Sequence, residues 1–149
     1  MSQENVGALI RHIISAKKDL YARTVTMRKS GSYQNTAADG KVMMTETRIY
    51  IGLNDSETRK QKYDTGKYLS LLKNICRSYH VPFSVNLEEG GYFHDDGEYT
   101  EETSLVLTLI DADSETVQDI AKDLCAFFRQ ESVLVTENCI SGQFINEAL

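Results

Sequence analysis

Several things are scarce in this chain of 149 residues: one proline, no tryptophan, three histidines, three cysteines, and no apolar run approaching 18 residues. The missing run excludes a bilayer-spanning helix, which needs about 20 consecutive apolar residues, so no membrane role is expected. Arg11 and His12 interrupt the first 20 residues, which therefore lack a signal-peptide core. The expected location is cytoplasmic, in a bacterium or an infected host cell. Cys76, Cys125 and Cys139 are odd in number and widely spaced, with no C-x-x-C pair. Two of them fall on apolar helical faces, where a reduced thiol acts as a small hydrophobe. Familiar catalytic signatures are missing too. Asp64-Thr65-Gly66 has no apolar flank and no second copy, and Gly66-Lys67 has no upstream glycine or following Ser/Thr to make a phosphate loop. His12, His80, His94 and the cysteines fall in no nucleophile order. Neither cofactor nor metal is expected, and the chain reads as non-catalytic.

What is present suits a folded domain. Apolar residues make up 41% and charged residues 26%, which argues against wholesale disorder. Charge is unevenly spread. Residues 1–42 hold seven Lys/Arg against three acids, net +4, while the remaining 107 residues hold nine against nineteen, net −10. A basic arm on an acidic body suits docking of the arm on the body or on an acidic partner. The acidic body is a poor direct target for duplex DNA.

Residues 4–21 place Val6, Leu9, Ile10, Ile13 and Ile14 at helical spacing, and a small, polar linker (30–41) follows. The division predicted is a basic helix and linker over 1–42 and a compact domain over 43–149. Thr45–Leu53 alternates, with Thr47, Ile49, Ile51 and Leu53 on one side and Glu46, Arg48, Tyr50 and Gly52 on the other. Asn54-Asp55-Ser56-Glu57 offers cap chemistry for a helical region reaching His80, with Gly66 as a potential break. Phe83, Val85 and Leu87 begin a second strand. Asp96-Gly97 marks a hairpin turn, Thr103–Asp111 a third strand, Asp113 or Ser114 the cap of a second helix, and Ser132–Glu137 a fourth strand. The order β-α-β-β-α-β predicts an α+β, ferredoxin-like antiparallel sheet with two helices on one face, plus the N-terminal helical extension. Val106 and Ile110 fall on the face away from the helices, so a cover for that face is expected: the N-terminal segment, a second copy or a ligand.

The acidic stretch 88–102, with Glu88, Glu89, Asp95, Asp96, Glu98, Glu101 and Glu102, is the candidate surface for a protein partner with a basic groove. Its spacing is not that of a calcium loop. Arg48 and Tyr50, joined by Arg23 and Arg28 of the arm, form an alternative site for an anionic nucleotide. An RNA-binding signature is absent, since SLVLTLID has no aromatic and no basic residue. Glu131, between apolar residues at a helix-to-strand junction, reads as a hydrogen-bonding residue tying that junction to a neighbouring loop. A further alternative makes Glu131 and His94 an acid–base pair.

Tyr50, Gly52 and Leu53 in the first strand, Gly90 and Gly91 in the second, Glu102 before the third and Gln130-Glu131-Ser132-Val133 entering the fourth resemble a family of small bacterial domains of unknown function. The resemblance covers about 43–136. It implies the ferredoxin-like fold, gives Gly52, Gly90, Gly91, Gln130, Glu131 and Ser132 a structural part, and names no activity. The added arm and acidic hairpin are similar in style to phage and mobile-element proteins, including inhibitors of bacterial defence. The resulting expectation is a non-catalytic binding protein, a homodimer or higher oligomer, acting as an interaction module or inhibitor of a nucleic-acid-handling partner. The alternatives are an anionic-nucleotide binder and an enzyme using Glu131 and His94.

Overall fold

The computed structural model describes residues 40–147. Six elements follow in order: β1 (Val42–Gly52), α1 (Thr65–Ser78), β2 (Ser84–Phe93), β3 (Tyr99–Ile110), α2 (Ser114–Phe128) and β4 (Leu134–Gly142). The strands form one antiparallel sheet in the order β2-β3-β1-β4, giving the ferredoxin-like α+β arrangement. The helical extension expected over 1–42 and the arm residues Arg23 and Arg28 lie outside the described residues, apart from Gly40–Val42.

Period-two alternation puts Ile49, Ile51, Leu105, Leu107 and Leu109 on the helix-bearing face, all at most 1% exposed. Tyr68, Leu72, Ile75 and Cys76 of α1, and Val117, Ile120, Leu124 and Phe128 of α2, close over them at helical spacing. The rings of Tyr68 and Phe128 meet across the helices at 5.2 Å. Cys76 is fully buried, and burial pushes its thiol up to about 12, so it is an inert part of the core.

Several boundaries differ from expectation, β3 for one starting at Tyr99 rather than Thr103, and two differ the most. The helix does not begin near Ser56, because the residues proposed as its cap close a local turn instead. The buried Asp55 carboxylate accepts the N–H groups of Glu57 and Thr58 at 2.9 and 3.1 Å, and Asn54 bridges to Gln61. The true cap is Asp64, which accepts the Lys67 N–H at 3.1 Å. The last strand does not stop at Glu137. It runs on to Gly142, with Met43 opposite Ser141 and Val42 opposite Gly142. Asp113 caps α2, accepting the Thr116 N–H at 2.9 Å.

On the sheet face away from α1 and α2, Val106 is only 2% exposed although no helix among the described residues covers it, flanked in register by Tyr50 and Asn86. Ile110 is 39% exposed. Among the described residues, no helix is long and apolar enough to cross a membrane.

Candidate functional site

Two regions carry the sequence-predicted residues, and they differ in kind. The first is the junction where α2 ends. Arg129 adopts a left-handed conformation (φ 53°) that terminates the helix. This turns its guanidinium onto Asp55 at 3.0 Å and Glu57 at 3.1 Å. The Gln130 side-chain amide donates to the carbonyls of Asn54 (2.6 Å) and Phe128 (3.3 Å). The backbone N–H groups of Thr58 and then Glu57, with help from Arg129, hold the Asp55 carboxyl below the usual range. The tether to the neighbouring loop is thus made by Gln130 and Arg129. The role expected of Glu131 passes to its predecessors, because Glu131 itself is exposed, as is Ser132. Both line a groove of about 790 Å³ between α2 and β4.

The second region is the free end of the β2–β3 hairpin on the helix-free face. β1 ends at Gly52, and Glu102 of β3 lies across that glycine to accept the Asn54 N–H at 3.0 Å. A Cβ at position 52 would collide with the Glu102 carboxylate, so the glycine makes room for this side chain. Glu102 is half-buried, and burial pushes its carboxyl above the ordinary glutamate value, with the Asn54 N–H offsetting part of the rise. Glu102 is therefore not part of the solvated acidic surface predicted for 88–102. It is turned inward, and its neighbours in that run are not.

Around it, register places Thr100 opposite Tyr92 and Glu102 opposite Gly90. Burial raises the Tyr92 hydroxyl, Glu102 raises it further, and Arg59 pulls the other way. The Tyr92 ring meets His94 edge-on at 4.9 Å, and the His94 Nε2 lies 3.1 Å from the Thr100 hydroxyl. Tyr99 lies over Gly91, where a Cβ would collide with its ring, and the ring centroids of Tyr99 and Phe93 lie 5.2 Å apart in a tilted pair. A cleft of about 390 Å³ opens at this hairpin, lined by Glu89, Gly90, Gly91, Tyr99, Glu101, Glu102 and Thr103, and alternation puts Glu89, Tyr99, Glu101 and Thr103 on the helix-bearing side of the sheet, opposite the face over which the Glu102 side chain lies. Its walls are carboxylates, an aromatic face and bare backbone. That chemistry suits a cation with a flat or apolar part.

The remaining candidates separate. Glu88 is exposed on β2, and Asp95 is exposed at the tip. Asp96 and Glu98 each approach Arg59 at 3.6 Å, so the tip is clasped to the loop after β1. Arg48 pairs with Glu46 at 3.0 Å, and Tyr50 then Glu46 raise its pKa, so this guanidinium is already engaged. His94 and Glu131 do not form a pair within the chain: β2 and β4 are opposite edges of the sheet. Among the described residues, no cluster of His, Cys, Asp and Glu is arranged to hold a metal. The inward turn of Glu102 is the feature that the sequence pattern did not reveal. The available signal was a glycine at the end of one strand and a glutamate opposite it in the antiparallel register.

No protein-family profile matches the chain, and no curated protein matches it. Solved structures do. A phage SAM lyase in complex with S-methyl-5'-thioadenosine matches at 22% identity and TM-score 0.51, covering 76% of this chain and 97% of that one. A phage SAM lyase in its apo state matches at 24% identity and TM-score 0.50, covering 70% and 92%. The ATP complex of B. subtilis GlnK matches at 12% identity and TM-score 0.44, covering 66% and 82%. At these identities the likeness is one of fold. It nevertheless overturns the reading of the chain as non-catalytic. That reading rested on missing motifs, and the same fold, over nearly its whole length, carries an enzyme.

Proposed function

We propose that this protein is an enzyme that cleaves S-adenosylmethionine, a lyase of sulfonium nucleosides, with Glu102 at its centre. The observation that carries the proposal is the half-buried Glu102 carboxyl, raised in pKa by burial and accepting one N–H, that of Asn54, where it lies over Gly52. A carboxylate held in poor solvation gains most from a cationic ligand. S-adenosylmethionine brings a sulfonium and an ammonium, whereas an anionic nucleotide would be repelled by the Glu102 carboxylate. The fold shared with the phage SAM lyase supports the same substrate.

The chemistry balances without a co-reactant. S-methyl-5'-thioadenosine keeps the methyl and ribose carbons on sulfur, so the bond that breaks joins sulfur to the amino-acid side chain. Its electron pair goes to sulfur, which becomes a neutral thioether. The four-carbon fragment supplies the replacing pair itself, from its own carboxylate or from a C–H bond as a proton leaves. The protein must then hold the cationic end, align the fragment and exclude water. Glu102 holds the charge, and Tyr92, on the same sheet face, offers its ring to the nucleoside. A neutral product has no charge to keep it in an acidic cleft, which favours release.

The test is incubation of the full chain with S-adenosylmethionine and chromatography for S-methyl-5'-thioadenosine. Product formation that disappears in Glu102→Gln is the expected result. The absence of both product and calorimetric binding would end the reading, and binding without turnover would make the protein a sequestering one. Self-association belongs to the same proposal. Phe93 and Leu134 are 73% and 60% exposed, and such residues on a hairpin and an edge strand suit contacts between copies, which native mass spectrometry would count.

A further inference from the structure

β4 is an edge of the sheet, and among the described residues no strand pairs with its outer side. Which of its backbone groups point outward follows from β1. Thr45 donates its N–H to the Asp111 carboxylate at 2.9 Å and accepts the Asp111 N–H at 2.8 Å, so its backbone groups turn toward β3. Its partner on β4 is Cys139. In an antiparallel pair, a residue turned away from its neighbour faces one that is turned away too. Cys139 therefore aims its N–H and C=O at the open edge, as do Val135, Glu137 and Ser141 by alternation. The residues that usually blunt such an edge are scarce, since β4 holds no lysine, no proline and one charge, Glu137. Past its end, Phe144 and Ile145 are 78% and 86% exposed, and at its start Leu134 is 60% exposed.

We propose that a second copy of this chain pairs with that edge, β4 against β4 in antiparallel sense, about a twofold axis at Cys139. This deepens the self-association proposed above by naming its surface and register. Outward groups recur at every second residue, so the axis must fall on a residue, and the choice of centre decides which side chains meet. A centre at Glu137 sets two carboxylates directly opposite each other, which is repulsive. One at Asn138 leaves Phe144 opposite Ser132 and Ile145 opposite Glu131, both polar and exposed. One at Ile140 puts Phe144 opposite Thr136 and Leu134 opposite Asn146. At Cys139, Leu134 meets the partner's Phe144, Val133 meets the partner's Ile145, and Glu137 meets the partner's Ser141. Each apolar pair forms twice. Val133 lines the groove of about 790 Å³ between α2 and β4 together with Val117 and Val135, so the partner's Ile145 reaches the rim of that groove. Residues 143–147, outside the ladder in the single chain, then lengthen β4 against its partner. Both copies keep their helices on one side of a continuous sheet, with the two grooves facing each other across the seam.

Cys139 is exposed and reports on this directly. Residues directly opposed as a hydrogen-bonded antiparallel pair hold their Cα atoms about 5.5 Å apart, within reach of a disulfide. The full chain is weighed by native mass spectrometry, then oxidised with diamide, and its disulfides are mapped by peptide mass spectrometry. The expected result is a dimer linked Cys139 to Cys139. Phe144→Asp, a change at an exposed position, should cut that link at least about tenfold, because it sets a carboxylate against Leu134 of the partner subunit. The register has its own check in a Cys139→Ser background. Glu137→Cys with Ser141→Cys should cross-link the copies, and Glu137→Cys alone should not. A dimer whose Cys139 stays reduced, a link unchanged in Phe144→Asp, or the reverse pattern in the paired cysteines overturns the proposal. A monomer overturns it together with the self-association on which it rests. No S-adenosylmethionine enters these measurements, so their failure is distinct from failure of the lyase reading.

Discussion

Asp55 and Glu102 are two carboxylates attached to the same loop, and they have opposite characters. Asp55 accepts the N–H groups of Glu57 and Thr58, meets Arg129 at 3.0 Å, and is held below the ordinary aspartate range. Glu102 accepts one N–H, from Asn54, and burial drives it above the ordinary glutamate range. Asn54 and Asp55 are adjacent, so a single loop anchors a satisfied acid and an unsatisfied one. The satisfied acid builds structure. An acid left short of partners retains capacity for a ligand.

The sharpest way to break this contrast is to neutralise each acid in turn. Glu102→Gln should lower S-adenosylmethionine cleavage by about 100-fold or more and leave melting unchanged or raised at neutral pH. Its raised folded pKa means the folded state takes up the proton more readily than the unfolded chain. The charged group therefore opposes folding as pH rises through that raised value, and the advantage of Glu102→Gln should vanish in acid, below the unfolded carboxylate range. Asp55→Asn should do the reverse, lowering the melting temperature at neutral pH. The lowered folded pKa of Asp55 contributes stability above its unfolded value, lost as pH falls through the folded one, so this deficit should also shrink in acid. Parallel melts of the three proteins across pH check both signs.

Gly52→Ala sharpens the same point through space rather than charge. The added methyl must push the Glu102 carboxylate aside, and a displacement near 1 Å at a reacting centre costs about 100-fold in turnover. Steady-state rates should fall while denaturant melts change little. Gln130→Ala, on the structural side, leaves the Asn54 carbonyl without its 2.6 Å donor and should cost about 1–3 kcal/mol in urea unfolding. The smallest effect belongs to the clasp at the hairpin tip. Arg59 and Glu98 meet at 3.6 Å with both side chains well exposed, so Glu98→Gln should stay within about 0.5 kcal/mol by the same measurement.

The fold was legible in the chain wherever burial imposed a period. Ile49 and Ile51, Leu105 to Leu109, and the stripes Leu72–Ile75 and Val117–Ile120–Leu124 all lie where alternation and helical spacing put them. Legibility failed where polar residues had two uses. Asn54-Asp55-Ser56-Glu57 has the composition of a helix cap and serves as a closed turn, because Arg129 and Gln130, more than 70 positions away, supply the deciding partners. β4 outruns its expected end because Asn138, Cys139 and Ser141 are exposed, and an exposed edge strand carries no apolar alternation to read. At the candidate site, Glu102 was indistinguishable by composition from its acidic neighbours. What sets it apart is the bare Gly52 beneath it, a relation that exists only once β1 and β3 are paired.

The central position of β1 also governs the order in which the molecule can be made. β1 is synthesised first of the four strands and needs both β3 and β4 as neighbours, and its Val42 waits for Gly142. Such pairings give a high contact order and slow closure. On the ribosome, one edge of this central strand stays open until about 100 further residues have emerged, a period in which the nascent sheet is exposed to mispairing and needs shelter. Chains released before Leu134 would keep that edge permanently, so translation that stalls in the α2–β4 segment should yield aggregates rather than a smaller working domain.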